Sequence, residues 1–151
     1  MSHYFLYNKI DEPVAYIEAN GFGEFFDEQP YTRFGGQAHY ISSWDFEDGK
    51  KIITKRRFHG CFIVNCDTTA NWWFYGEEEN VNCCLPGATS HYTILGEDGL
   101  IDHMRIMAFV WRVAQHFFIE HGTARHSYSL EKEEEIMELL LSGYSIKTKL
   151  E

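Results

Sequence analysis

Residues 100–121, "LIDHMRIMAFVWRVAQHFFIEH", repeat apolar side chains at helical spacing through Leu100, Met104, Met107, Ala108, Trp111, Ala114 and Phe118. Their polar neighbours Asp102, Arg105, Arg112, His116 and Glu120 gather in a narrow stripe on the other side. A helix apolar around most of its circumference must be covered on most sides, so the rest of the chain has to wrap it. Glu97 and Asp98 precede it, at the electropositive end of a helix, and Gly122 is placed to stop it. The stretch is too interrupted for a membrane span: Arg112, Gln115 and His116 break "MAFVWRVAQHFFI" well short of the roughly 20 apolar residues a bilayer needs.

The wrapping comes from the first two thirds of the chain, which read as strands. "HYFLYN" (3–8) and "PVAYIEA" (13–19) are short and rich in aromatic and β-branched residues. Residues 20–37, "NGFGEFFDEQPYTRFGGQ", read as a loop on their Gly and Pro punctuation, with Phe22, Phe25, Phe26, Tyr31 and Phe34 packing it down. A meander follows. "AHYISSWDF" and "KKIITKRRF" flank "EDG", whose Asp48-Gly49 is a strong hairpin signal. His59-Gly60 then separates off "GCFIVN", and "CDTTAN" makes another turn. "WWFY" and "VNCCL" flank the hairpin tip "GEEEN", and "SHYTIL" closes the run. In "NWWFY", Trp72 and Phe74 fall on one face and Trp73 and Tyr75 on the other, so both faces are apolar, as for an inner strand.

A second helix is predicted from about residue 130 to 142. Ser129 is its N-cap, four glutamates of "EKEEE" crowd its positive end, and Gly143 stops it. Its inward stripe is Ile136, Met137, Leu140 and Leu141. The expected architecture is α+β: a curved antiparallel meander packed on one long buried helix, with a second, C-terminal helix. At 151 residues, 44% of them hydrophobic, one domain with a real core is expected.

Thirteen Lys and Arg against 23 Asp and Glu give a formal charge of -10. That argues against direct nucleic-acid binding and against anionic membrane surfaces, which demand surplus positive charge, and it permits basic proteins as partners. The N-terminus lacks the basic and apolar regions of a secretory signal. Cys61, Cys66, Cys83 and Cys84 match neither a zinc knuckle nor a redox motif, so reduced, buried thiols in a cytoplasmic protein are expected.

The search for chemistry finds no catalytic set. No Ser sits in a nucleophile elbow, the cysteines lie in strand-like apolar surroundings, and Asp102-His103 are adjacent helical residues that do not face each other. His116 and His121 are five apart, not the four of a zinc helix, and His116 with Glu120 reads as a surface pair. His39, His59, His91, His103 and His126 fall in separate elements with no sign that they converge. Neither metal nor cofactor is expected, and the chain does not read as an enzyme.

Acidic hairpin tips remain. Asp45, Glu47 and Asp48 sit at one tip and Glu77, Glu78 and Glu79 at the other, flanked by Trp44 and Phe46 and by Trp73 and Tyr75. Solvated turns that keep strand edges from aggregating explain them; so does a negative, aromatic-edged surface for a basic partner. An alternative reading places a small apolar ligand between sheet and helix, in a cavity lined by Trp72, Phe74, Trp111 and Phe118 with His91 or His116 as polar contacts.

From about residue 70 to 130 the chain resembles the Imm1-type immunity proteins, which neutralise bacterial polymorphic toxins. The likeness rests on a strand meander leading into an amphipathic helix that ends in A-x-x-F-F, here Ala114, Phe117 and Phe118. "SYSLE" follows where the family has a W-x-E pattern, with Tyr128 in place of the tryptophan and no preceding proline. Contact-dependent growth-inhibition immunity proteins of other families share the same acidic, cytoplasmic α+β profile. The resemblance implies tight binding and inhibition of a cognate toxin domain, often one that acts on nucleic acid. The partner surface expected from the residues is Trp44, Asp45, Glu47, Asp48 and Glu77 to Glu79.

Overall fold

Asp48 and Gly49 both take positive φ, 51° and 78°, between the paired residues Glu47 and Lys50. This is the two-residue hairpin turn that the Asp-Gly pair favours, because its twist matches that of the strands it joins. The computed structural model describes residues 2–21, 33–65, 71–76, 79–84, 97–120 and 131–151. The fold is α+β: a curved antiparallel sheet packed on a long buried helix, with a C-terminal helix beyond it.

The strands are β1 (Ser2–Tyr7), β2 (Pro13–Gly21), β3 (Arg33–Glu47), β4 (Lys50–Asn65), β5 (Asn71–Gly76), β6 (Glu79–Cys84) and β7 (Ser145–Lys147). Helices α1 (Glu97–Glu120) and α2 (Glu131–Leu141) fall between β6 and β7. The strand order is β6-β5-β4-β3-β2-β1-β7, so six consecutive strands form the expected meander. The short β7, which the sequence pattern did not announce, pairs antiparallel with the free edge of β1.

Two expectations about the strands are corrected. The proposed loop 20–37 is shorter, because β2 continues to Gly21 and β3 begins at Arg33. Gly35 and Gly36 are strand residues. A Cβ on Gly36 would lie 1.9 Å from the Glu18 carbonyl oxygen, so glycine is there for close approach of the β2 backbone, not for a turn. His59-Gly60 likewise does not end a strand: β4 runs unbroken for 16 residues. The register with β3 slips there instead, His39 pairing with Phe58 and Ala38 with Gly60, which marks a β-bulge. The expected turn at 66–70, the strand at 90–95, Gly122 and Ser129 lie outside the described residues.

One sheet face carries the main core. Leu6, Ala15, Ile17, Ala19, Phe34, Ala38, Phe62 and Val64 meet Ile106, Met107, Phe109, Val110, Trp111, Ala114 and Phe118 of α1. Burial on α1 extends round most of the helix, as its sequence demanded. Glu97 and Asp98 belong to its first turn rather than preceding it. On α2, Met137 is buried and Leu140 and Leu141 pack against the same core; Gly143 takes φ 80° where the helix ends. Arg105 fastens the helices by donating from Nε to the Leu140 carbonyl at 2.9 Å, and Arg112 pairs with Glu134.

Candidate functional site

Among the described residues, two places gather polar side chains: a curled arm on one sheet face and a cleft beside the helix on the other. The arm arises from a length mismatch. β3 pairs with β2 only as far as Tyr40, so residues 41–56 continue as a two-stranded ribbon. Further register slips between Ile41 and Ser43 and between Ser43 and Trp44 bend this ribbon. It folds across the β1–β2 face opposite α1. There Ile53 joins a second, smaller cluster of Phe5, Tyr7, Tyr16, Ile41 and Leu150. Lys51 Nζ sits 5.0 Å from the Tyr7 ring centroid, and Arg56 donates to the Tyr16 hydroxyl. A groove of about 540 Å³ remains under the arm, edged by His3, Glu18, Lys55 and Arg56.

Beneath that groove His39 is only 4% exposed, stacked on Tyr16 at 4.6 Å between centroids with Phe58 tilted against it. Neither ring nitrogen has a hydrogen-bond partner among the described residues. Burial, and then the Arg56 charge, push its pKa below the ordinary value.

The arm's charge is uneven. Residues 41–56 hold three acidic and four basic side chains, so this ribbon is positive in a chain of charge -10. The acids Asp45, Glu47 and Asp48 crowd the tip, all exposed and in no ion pair among the described residues; the bases lie mainly along β4. Phe46 is 60% exposed at the tip and meets Trp44 edge to face at 5.2 Å. Lys51 lies 5.3 Å from the Trp44 ring, which holds that indole against the arm.

Further along β4, Cys61 pairs with Tyr75 of β5, and Gly76 pairs with Glu79 of β6. The Asp48-Gly49 turn lies beyond Lys50, ten residues before Gly60 on β4 and about 33 Å of extended strand from it. Glu77 and Glu78, and the side chains of Glu79, Trp72, Phe74 and His91, lie outside what is described. Of the residues expected around a ligand cavity, Trp111 and Phe118 have no exposed surface and sit in the main core, while His116 is exposed.

The cleft beside the helix was missed by sequence reasoning. The bulge opposite Ala38 and His39 turns His59 toward α1, where His103 of the helix's first turns meets it. His103 Nδ1 and His59 Nε2 are 2.9 Å apart. Burial holds both neutral, pushing His59 down to about 3, with the neighbouring His103 adding to the effect, and His103 down to about 4. Tyr40 packs edge-on to His59 at 5.0 Å and carries Arg57 over its face at 4.6 Å; burial and then Asp102 raise its phenol pKa. Tyr40, Asp102, Arg105 and Tyr144 line an adjoining cleft of about 250 Å³. One signal was available. His103 lies on the Met107–Trp111–Phe118 stripe, so an imidazole there had to be buried and needed a partner.

Among the described residues, no group of three or more His, Cys, Asp and Glu side chains is placed to hold a metal. Among them, too, no helix is long and apolar enough to cross a membrane. Compared with known protein families, curated proteins and solved structures, the chain gives no match.

Proposed function

We propose that this chain is an immunity-type inhibitor that binds a basic, nucleic-acid-targeting toxin domain in the cytoplasm, using the tip of the β3–β4 arm as its docking element. The observation that carries the reading is the tip itself. An exposed Phe46, braced by Trp44, projects among the carboxylates of Asp45, Glu47 and Asp48. An aromatic anchor ringed by charge of one sign suits capture of a surface of the opposite sign, with the charges speeding encounter and the ring supplying contact area. The two-residue turn and the ribbon's own ladder hold this tip in shape before binding, which lowers the ordering cost. In this reading the chain blocks its partner by occupancy and catalyses nothing itself.

The test is to recover the chain with its bound proteins from its source cells, then purify the dominant basic partner and assay its nuclease or deaminase activity with and without the chain. Inhibition should be stoichiometric, and its association rate should fall with salt. Phe46→Ala should raise the Kd at least tenfold, and joint reversal of Asp45, Glu47 and Asp48 to Lys should slow association. A partner that is not inhibited, or one bound equally well by both variants, sinks the proposal.

A further inference from the structure

The groove under the arm is walled by the edge of one strand. Its rim follows β4 through six consecutive residues, 51–56, and no β3 residue lines it. The groove therefore runs along the side of β4 that faces away from β3. β5 pairs with β4 only at residues 61–64, so among the described residues no strand covers that side from 50 to 60. In an antiparallel ladder, alternate residues turn their N–H and C=O groups away from the partner strand. Residues 51–56 thus present backbone donors and acceptors to the groove over about 17 Å. The floor is two neighbouring cross-strand pairs, His3 with Glu18 and Phe5 with Tyr16. Phe5 and Tyr16 stack at 5.9 Å between centroids and, with Ile53 and Leu150, make its apolar part.

We infer that this groove takes an extended acidic peptide from a partner protein, which adds as a strand to the free edge of β4 and lays apolar side chains on Phe5 and Tyr16. Backbone pairing with an exposed edge supplies affinity whatever the sequence; the floor and the charges supply choice. Those charges are Lys51, Lys55 and Arg56 against the single carboxylate of Glu18. Lys51 is held by the Asp11 carbonyl, and Arg56 touches Tyr16 and Glu18. Arg56 is nonetheless 58% exposed, and the exposed Lys55 has no partner among the described residues. Lysines along an edge discourage like edges from pairing with it, and they leave a strand of opposite charge as the one that fits. At about 540 Å³ the groove has the size of a ligand cleft.

The inference does not depend on what the arm's tip binds. Its test uses the whole chain and capped six-residue peptides: one alternating Glu with Val and Phe, one with Lys in place of Glu, and the acidic one N-methylated on either alternate set of its backbone amides. The acidic peptide should bind and slow hydrogen exchange at alternate amides of residues 51–56 at least tenfold. The lysine peptide should bind at least tenfold more weakly, and so should one of the two methylated peptides, the one that has lost the donors facing β4. Joint Lys55→Glu and Arg56→Glu, both at exposed positions, should weaken the acidic peptide at least tenfold. Phe46→Ala should leave its binding unchanged, so failure at the groove and failure at the tip are read separately. No binding at millimolar peptide, protection that falls outside residues 51–56, equal binding of both charges or indifference to methylation overturns the inference. So does protection of every amide from 51 to 56 in the free chain.

Discussion

The two faces of this sheet solve the same problem with unequal means. On one, α1 lays a continuous apolar arc against four strands, and the largest side chains there, Trp111, Phe34, Phe62, Phe109 and Phe118, are fully buried. On the other, three aromatics are covered by the chain's own hairpin and by Leu150, with an open groove left beside them. Their histidines differ in the same way. The helix face pairs His59 with His103, whereas the arm face buries His39 without a hydrogen bond among the described residues. A thick core tolerates polar groups only when they satisfy one another, while a thin one is left with an unmet cost.

Trp111→Ala should show the largest effect, about 3–5 kcal/mol of lost stability by urea denaturation. Ile53→Ala, in the arm's thinner cluster, should cost about 1 kcal/mol, in keeping with a half-buried chain. Equal losses would mean that the arm face carries as much of the stability as the helix face. Next, Gly36→Ala should destabilise by about 1–3 kcal/mol, because the atom it would strike is β2 backbone with little room to give.

His39→Phe should run the other way and stabilise the protein by about 1 kcal/mol, since a ring of similar shape would replace two unsatisfied nitrogens. The sign of its pH dependence follows from the lowered pKa. Below about pH 6.5 the unfolded chain takes up a proton at this residue more readily than the folded one, so this residue's share of stability is lost as pH falls. Urea midpoints at pH 7.5 and pH 5 should therefore lie closer together in His39→Phe than in the parent. A parent-like difference would show that His39 meets its hydrogen-bonding needs some other way. The smallest effect belongs to the arm's tip. Phe46→Ala should change stability by less than about 0.5 kcal/mol, separating a surface made for contact from one made for folding.

Periodicity made the long helix, the second helix, the Asp-Gly hairpin and the meander legible, because each repeats an apolar pattern that only one geometry can bury. What stayed hidden depended on contacts between distant segments. Gly35-Gly36 reads as loop punctuation until β2 is known to press against it, and His59-Gly60 reads as a break until Ala38 and His39 are seen opposite. The same bulge concealed the histidine pair, since alternation alone sends His59 to the wrong face. The tip residues Trp44 to Asp48 were legible as a hairpin end; that the basic residues of β4 would share the ribbon and make it net positive followed from pairing, not pattern. β7 is three residues long and carries too little pattern to announce itself.

That short strand sets an order of events during synthesis. Leu6 of β1 pairs with Ile146, and the Tyr7 hydroxyl exchanges hydrogen bonds with the backbone of Glu151. The outer edge of β1 is among the first parts of the sheet to leave the ribosome, yet its neighbour there is among the last. Until β7 emerges it is an open ladder of donors and acceptors beside aromatic side chains, the kind of edge to which another chain can add. Both helices precede β7 in the chain, so they leave the ribosome before the strand that seals the seam.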